Sequence, residues 1–277
     1  MITVNLQGRL GNQLFQYAFI YAAAKTLKTN FYIDKQTESF ILPKYFNLKE
    51  EFTAPFDLLF NIKGYKNLFS FRLRKFFYRM LRMIFNLRKI SFNNESDPLS
   101  NLLELRNQTI YEGFFQSAYY FANIEKEIDS LFELKQEFKS EFQRVVEKFP
   151  ANKTIVAVHI RKGDYIDLGW NLSIEYYHQI IKKLPVESSY FIFLSDQPKE
   201  IANEFNYIPN KYISHHEEII DFQFLLNADI CILANSSFSW WGAYLNKKKT
   251  NVFAPKFWLG KDEELPKDIL PKNWIKC

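Results

Sequence analysis

The sequence predicts an α/β protein in two lobes, 1–150 and 151–277. Apolar, β-branched runs alternate with helical stretches from residue 153 to residue 254, and strands alternating with helices over short loops build a parallel sheet covered on both faces. The N-terminus carries a strand, a glycine-containing turn and a long helix in the same order. Between these tracts, Pro150-Ala151-Asn152 interrupts a helical pattern and marks the lobe boundary. A chain of 277 residues exceeds what one small core needs, and 47% apolar and 18% aromatic residues fill two cores and exclude wholesale disorder.

In the first lobe, residues 2–7 read as a strand and Gly8-Arg9-Leu10-Gly11-Asn12-Gln13 as a turn. A helix follows, with Leu14, Tyr17, Ala18, Tyr21, Ala22 and Leu27 near helical spacing. This opens a Rossmann-like unit, although the dinucleotide pattern G-x-G-x-x-G is absent. Residues 31–34 and 110–116 read as further strands, and 118–149 as one or two long helices.

The charge of this lobe is uneven. No acidic residue lies between Asp57 and Glu95, while Lys63, Lys66, Arg72, Arg74, Lys75, Arg79, Arg82, Arg88 and Lys89 all do, so this segment carries more than the whole net charge of +5. Within this basic helical segment, 63–90, the part from 68 to 90 is amphipathic. Phe69, Leu73, Phe76, Met80, Ile84 and Leu87 follow three- and four-residue steps, with Arg72, Lys75, Arg79 and Arg82 beside them. Two readings stand: a surface helix packing its stripe on the lobe, or an interfacial helix touching anionic membrane lipid. Nucleic acid is not expected, because the aromatics fall on the stripe instead of interleaving with the charges.

In the second lobe strands are expected at 154–160, 190–195, 211–214, 229–234 and 251–254, with helices at 173–184, 198–205, 217–227 and 236–246. The ends of three strands are polar. The first delivers His159, Arg161, Lys162 and Asp164, with Gly163 for a tight turn; the second delivers Ser195 and Asp196; the fourth delivers Asn235, Ser236 and Ser237. Parallel strands bring their carboxyl ends to one edge, where open α/β sheets bind ligands. Asn235-Ser236-Ser237 opens a helix whose free amides suit an anion, and Arg161 offers a planar fork, so a diphosphate is the economical ligand. Asp196 has the acceptor pair for the N1–H and exocyclic amine of guanine; its alternative is a loop carboxylate. The chain holds no Asp-x-Asp triplet of the kind that grips a metal–nucleotide pair, so side chains and amides must neutralise the ligand, and no cofactor is expected. Asp164 is the candidate base, its alternative being to hold Arg161 or the loop. Trp240 and Trp241 read as helix core, with sugar stacking as the other reading.

Two cysteines, Cys231 and Cys277, exclude a disulfide framework and a cysteine metal cluster. The opening Met-Ile-Thr-Val-Asn-Leu has a strand pattern and not that of a secretory signal, and no run reaches the length of a membrane span. The expectation is a cytoplasmic, reduced protein, peripheral at the inner membrane if 68–90 touches lipid.

Three stretches together carry a family resemblance: Gly8-Arg-Leu-Gly-Asn-Gln13-Leu-Phe-Gln-Tyr17-Ala18, His159-Ile-Arg-Lys-Gly-Asp164, and Asn235-Ser-Ser-Phe-Ser-Trp-Trp-Gly-Ala243. With Tyr111-Glu-Gly-Phe-Phe-Gln-Ser117, and in this order, the chain resembles the bacterial α-1,2-fucosyltransferases of glycosyltransferase family 11. The resemblance implies two Rossmann-like lobes of GT-B type, acceptor-side first and GDP-sugar-binding second. It further implies GDP-fucose as donor, inversion at the sugar carbon, and transfer to the 2-hydroxyl of a terminal galactose on a β-galactoside oligosaccharide. On this reading Arg161 holds the pyrophosphate, Ser236 and Ser237 complete its cradle with Asn235 and Phe238, and His159 and Asp196 lie near guanosine. Asn12 faces the donor phosphates or the acceptor. One position departs: Lys162 stands where the family commonly has arginine, keeping the charge and losing the fork. Another linkage, acceptor or GDP-deoxysugar, or a non-catalytic nucleotide-sugar-binding protein, are the alternatives.

Overall fold

A computed structural model describes residues 1–35, 38–49, 51–53, 68–93, 95–248, 250–259 and 264–277. The chain forms two compact units, Met1–Glu133 with Pro266–Ile269, and Leu134–Leu265 with Leu270–Cys277. The division thus falls before the proline-containing break at 150–152. The reason is the helix Gln136–Val146, whose Phe142 packs 5.2 Å from Phe224 and whose Phe138 carbonyl accepts from Gln223 Nε2, both partners in the second unit.

The first unit is built on a parallel sheet of β1 (Ile2–Asn5), β2 (Phe31–Asp34), β3 (Arg88–Ser91) and β4 (Thr109–Glu112), in the order β2-β1-β4-β3. The helix Leu10–Leu27 follows β1 and is buried nearly all round its first four turns, which fits its apolar and small residues from Tyr17 to Ala24 and the buried, hydrogen-bonded Gln13 and Gln16 before them. It stops at Lys28, which turns left-handed (φ 49°) and donates its amide to the Lys25 carbonyl. Phe19 from this helix stacks on Phe115 at 3.8 Å and meets Tyr111 and Tyr120 edge-on. The expected strand at 110–116 stops at Glu112, because Phe115 takes a left-handed turn (φ 52°) to reach that stack. The tract 118–149 is three pieces, Ala118–Glu127, Ile128–Leu131 and Gln136–Val146.

Of the expected basic segment 63–90, residues 63–67 lie outside the described residues. The helix Leu68–Ile84 ends ahead of Asn86 (φ 47°), and Arg88–Ser91 leaves it as the edge strand β3. Its sequence, Arg-Lys-Ile-Ser, faces solvent on most positions and so carries no apolar alternation to announce it.

In the second unit six strands run parallel: β5 (Thr154–Ile160), β6 (Ser189–Ser195), β7 (Lys211–Ile213), β8 (Ile230–Ile232), β9 (Asn251–Ala254) and β10 (Ile275–Lys276). Their order is β10-β9-β8-β5-β6-β7. Val156, Val158, Ile160, Phe191 and Phe193 pack against Tyr177, Ile180, Ile181 and Phe205 in its core. The chain leaves β5 for β6 and β7 on one side, and later returns to lay β8 on the other. That reversal makes the carboxyl ends of β5 and β8 the switch point at which such sheets open a crevice. Trp240 and Trp241 are wholly buried, as helix core requires. Cys231 is buried and its thiol is pushed up to about 12 by burial, while Cys277 is exposed; neither forms a disulfide. Among the described residues no helix is long and apolar enough to cross a membrane.

Candidate functional site

His159 is the last inward-facing side chain of β5 but one, 6% exposed, with its ring 5.3 Å from that of Phe238. Its Nδ1 is buried without a hydrogen-bond partner. Burial, and then the neighbouring Arg161 charge, hold its pKa down to about 3. The imidazole is therefore neutral near neutral pH. It offers packing and one unused ring nitrogen, not a proton that turns over with pH.

Beyond β5 the chain builds a charge cluster around Arg161. One guanidinium nitrogen meets Asp196 Oδ2 at 3.1 Å and another donates to Asp164 Oδ1 at 2.5 Å. The guanidinium lies 5.3 Å from the centre of the Tyr165 ring. Asp196 accepts a second bond, from the Lys162 amide at 3.0 Å, and Lys162 Nζ reaches Glu200 at 3.5 Å. Two cations thus face three carboxylates. Gly163 is needed here for closeness and not for an unusual turn: a β-carbon on it would run into Asp196 Oδ2. It also starts a short helix, Gly163–Leu168, that the sequence pattern did not announce. Asp196, expected beside guanine, is here the carboxylate that shapes the Arg161 loop. Asp164, expected as a base, is here paired with Arg161.

Asn235 ends the opposite lip. Its Nδ2 donates to the Trp170 and Trp258 carbonyls at 2.8 and 2.9 Å, while its Oδ1 is buried and without a partner. The helix Ser237–Tyr244 begins immediately after Ser236, which stands at its N-cap without a side-chain cap bond. Ser236 accepts the first helical bond, from the Trp240 amide at 3.0 Å, so the amides of 237–239 precede the helical ladder. Ser239 fixes the turn by donating its hydroxyl to the Ala234 and Ser236 carbonyls. Tyr165 joins the two lips, since its hydroxyl donates to the Asn235 carbonyl at 3.3 Å. Tyr165 and Glu200 were not singled out from the sequence. Tyr165 follows the His-Ile-Arg-Lys-Gly-Asp stretch directly, but only the unannounced helix turns it back towards Arg161.

Asn12 belongs to the first unit, in the first turn of Leu10–Leu27, where Gln116 Nε2 donates to its Oδ1 at 3.0 Å. Gly8 has φ +74°, and a side chain there would collide with the Asn12 amide, so the bend at Gly8-Arg9 needs that glycine; the turn expected over 8–13 is shorter, because the helix already begins at Leu10. Gln13 and Gln16 are buried and structural. Gln13 spans the Gly8 and Ser39 carbonyls and the Ile41 amide, and Gln16 ties the Gln7 amide to the Gly113 carbonyl. Among the described residues no group of three or more histidines, cysteines or carboxylates is arranged to hold a metal ion.

Two Rossmann-like units, the second with a switch-point arginine beside a helix N-terminus, are the architecture of GT-B glycosyltransferases. Solved structures share it. The fucosyltransferase NodZ from Bradyrhizobium matches with a TM-score of 0.54 at 15% identity, over 88% of this chain and 92% of that one. A NodZ α-1,6-fucosyltransferase soaked with GDP-fucose gives 0.56 at 14% identity, over 88% and 92%. At such identity the likeness is one of fold. The chain belongs to Glycosyl transferase family 11, whose sequence profile it matches over residues 1–277. Two curated relatives from Escherichia coli are each 27% identical. One is an alpha-1,2-colitosyltransferase, covering 100% of this chain and 98% of its own length. The other is the O-antigen biosynthesis glycosyltransferase WbnK, covering 98% of each.

Proposed function

We propose that this glycosyltransferase moves fucose from GDP-fucose to the 2-hydroxyl of a terminal galactose on a β-galactoside oligosaccharide, with inversion and without a metal. The observation that carries the donor half is Arg161 directly beyond the carboxyl end of β5, at the switch point with β8, whose own end leads into the N-terminus of the helix Ser237–Tyr244. In support, the fold is shared with a NodZ structure soaked with GDP-fucose, and one relative is named for an α-1,2 transfer.

The geometry suggests a partner exchange. Asp164 is 52% exposed, so its pair with Arg161 is worth only about 0–1 kcal/mol and yields readily to a stronger anion. Asp196 is 23% exposed and also held by the Lys162 amide, so it stays and keeps the fork oriented. Arg161, Lys162 and the amides at the N-terminus of the helix Ser237–Tyr244 then neutralise the diphosphate, with Ser236 and Ser237 hydroxyls as further donors. Neutral His159 and Phe238 form the floor below it, towards the nucleoside. Asn12 is assigned to the acceptor or the donor phosphates from the first unit.

Release from Arg161 leaves Asp164 free to take a proton. The acceptor hydroxyl oxygen bonds to the anomeric carbon as the bond from that carbon to the diphosphate oxygen breaks. The electron pair leaves with GDP, and the hydroxyl proton passes to Asp164. Attack opposite the leaving group inverts the centre.

The second reading keeps the machinery and changes the sugar to another GDP-deoxysugar, as the colitosyl-transferring relative suggests. Incubation with lactose and either GDP-fucose or a GDP-3,6-dideoxyhexose, followed by linkage analysis of the trisaccharide, tests both. A product substituted at galactose O2 from GDP-fucose is expected. Transfer from the dideoxy donor alone supports the second reading, and donor hydrolysis without trisaccharide overturns both.

A further inference from the structure

Among its described side chains, the helix Leu68–Ile84 is anchored to the first unit through Tyr78. Tyr78 is buried there, donates its hydroxyl to Asp34 at 2.6 Å, and joins Tyr32, Leu87 and Ile110 in a small apolar cluster. Away from that anchor five of its described apolar side chains are not buried. Leu73, Phe76, Phe77, Met83 and Ile84 are 46, 61, 46, 73 and 64% exposed. At about 100° per residue these five, with half-buried Met80, occupy an arc of about 120° centred opposite Tyr78. Arg72, Lys75 and Arg79 are exposed on the flank between that arc and the anchor, with Arg82 beside them over the Tyr78 ring. Of the stripe read from the sequence, Leu87 is packed on the unit and Met80 is half-buried, while Leu73, Phe76 and Ile84 are not packed on it.

We propose that this face docks the protein on a membrane surface bearing anionic lipid headgroups. Three observations choose that occupant. First, the flank is purely basic; no acidic residue occurs from 58 to 94, which complements phosphate headgroups lying beside acyl chains. Second, a second copy of the chain would set the same basic flank against itself, the wrong arrangement for a self-complementary interface. Third, the helix cannot instead cross the bilayer. Its 17 residues span about 25 Å, short of the roughly 30 Å hydrocarbon core, and would carry the arginines through it. Lying flat, the helix would insert Phe76, Met83 and Ile84 at the headgroup boundary while the arginines and lysine snorkel to the phosphates. The proposal stands apart from the donor and acceptor assignments, since none of these residues has a place in them.

The test is co-sedimentation of the whole protein with vesicles of phosphatidylcholine alone, or of phosphatidylcholine mixed with phosphatidylglycerol. Binding is expected only to the mixed vesicles and is expected to fade as salt is raised. Each basic side chain near an anionic surface strengthens association about fivefold, so the triple variant Arg72→Gln, Lys75→Gln, Arg79→Gln is expected to bind roughly a hundredfold more weakly. A separate variant, Phe76→Ser with Met83→Ser, removes apolar contact and leaves every charge, and it too is expected to lose binding. Both change exposed side chains, so melting temperature and GDP affinity should be kept. Equal binding to neutral and mixed vesicles, or binding to neither, overturns the proposal. So does a dimer in sedimentation equilibrium that the Phe76→Ser, Met83→Ser variant abolishes while the vesicles go unbound.

Discussion

Arg161 is held by two carboxylates of unequal standing, and a single substitution separates their roles. Asp164→Asn removes the exposed competitor for the guanidinium, so GDP should bind up to about fivefold tighter. If Asp164 also takes the acceptor proton, turnover in the same variant should fall by about 10²- to 10⁴-fold. Weaker GDP binding would instead make Asp164 an orienting group. Two other buried groups contribute to the pH response. His159 is depressed from 6.5 to about 3, so its contribution to stability is present above pH 6.5 and is lost as pH falls towards 3. Asp221, buried beside Ser214, is raised from 3.8 to about 7 chiefly by burial; its contribution is full below about pH 4 and is lost as pH rises through 7. Between about pH 4 and 6.5 the two slopes oppose, each near 1.4 kcal/mol per pH unit at most. Urea melts of Asp221→Asn should therefore lose stability on acidification relative to wild type, and those of His159→Gln should gain it; parallel profiles would contradict both assignments. At this scale the positions of charged residues were more legible in the sequence than their contacts. Arg161, Asp164 and Asp196 were legible as charges at strand ends. That Asp196 faces Arg161 depends on register between β5 and β6, where Ile160 pairs with Ser195, and no local pattern states that.

The element proposed to cradle the diphosphate, Ser237–Tyr244, depends on close approach to the helix Glu218–Asn227. A β-carbon on Gly242 would stand 2.5 Å from Leu225 Cβ, in a fully buried contact. Gly242→Ala should cost about 1–3 kcal/mol in urea melts, because a packed contact must open to admit a methyl group. It should also weaken GDP binding by displacing the amides at that helix's N-terminus. Unchanged stability would mean that the two helices slide freely. Long periodic elements were legible: β5, β6 and the helix Leu10–Leu27 lie where apolar runs predict them. The short ones were not. Gly163–Leu168 has no buried residue and hence no stripe, β10 has two residues, and β3 faces solvent.

Across the whole molecule, two Rossmann-like units were readable because strand–turn–helix order survives in both halves. Their border was not, because the helix Gln136–Val146 precedes the proline break yet packs with Gln223 and Phe224 of the second unit. If neutralisation rests on side chains and amides, transfer should continue at full rate in excess EDTA; activity that is lost and then restored by Mn²⁺ would require a metal in the account. The central claim is that Arg161 anchors the donor diphosphate in the second unit. It is tested most directly by calorimetric titration of GDP into the whole protein and into Arg161→Ala, both confirmed folded and both in EDTA. Loss of a charge-assisted bond is worth about 1.5–3 kcal/mol, so affinity should fall about 10- to 150-fold. Equal affinity in the two proteins would contradict the claim.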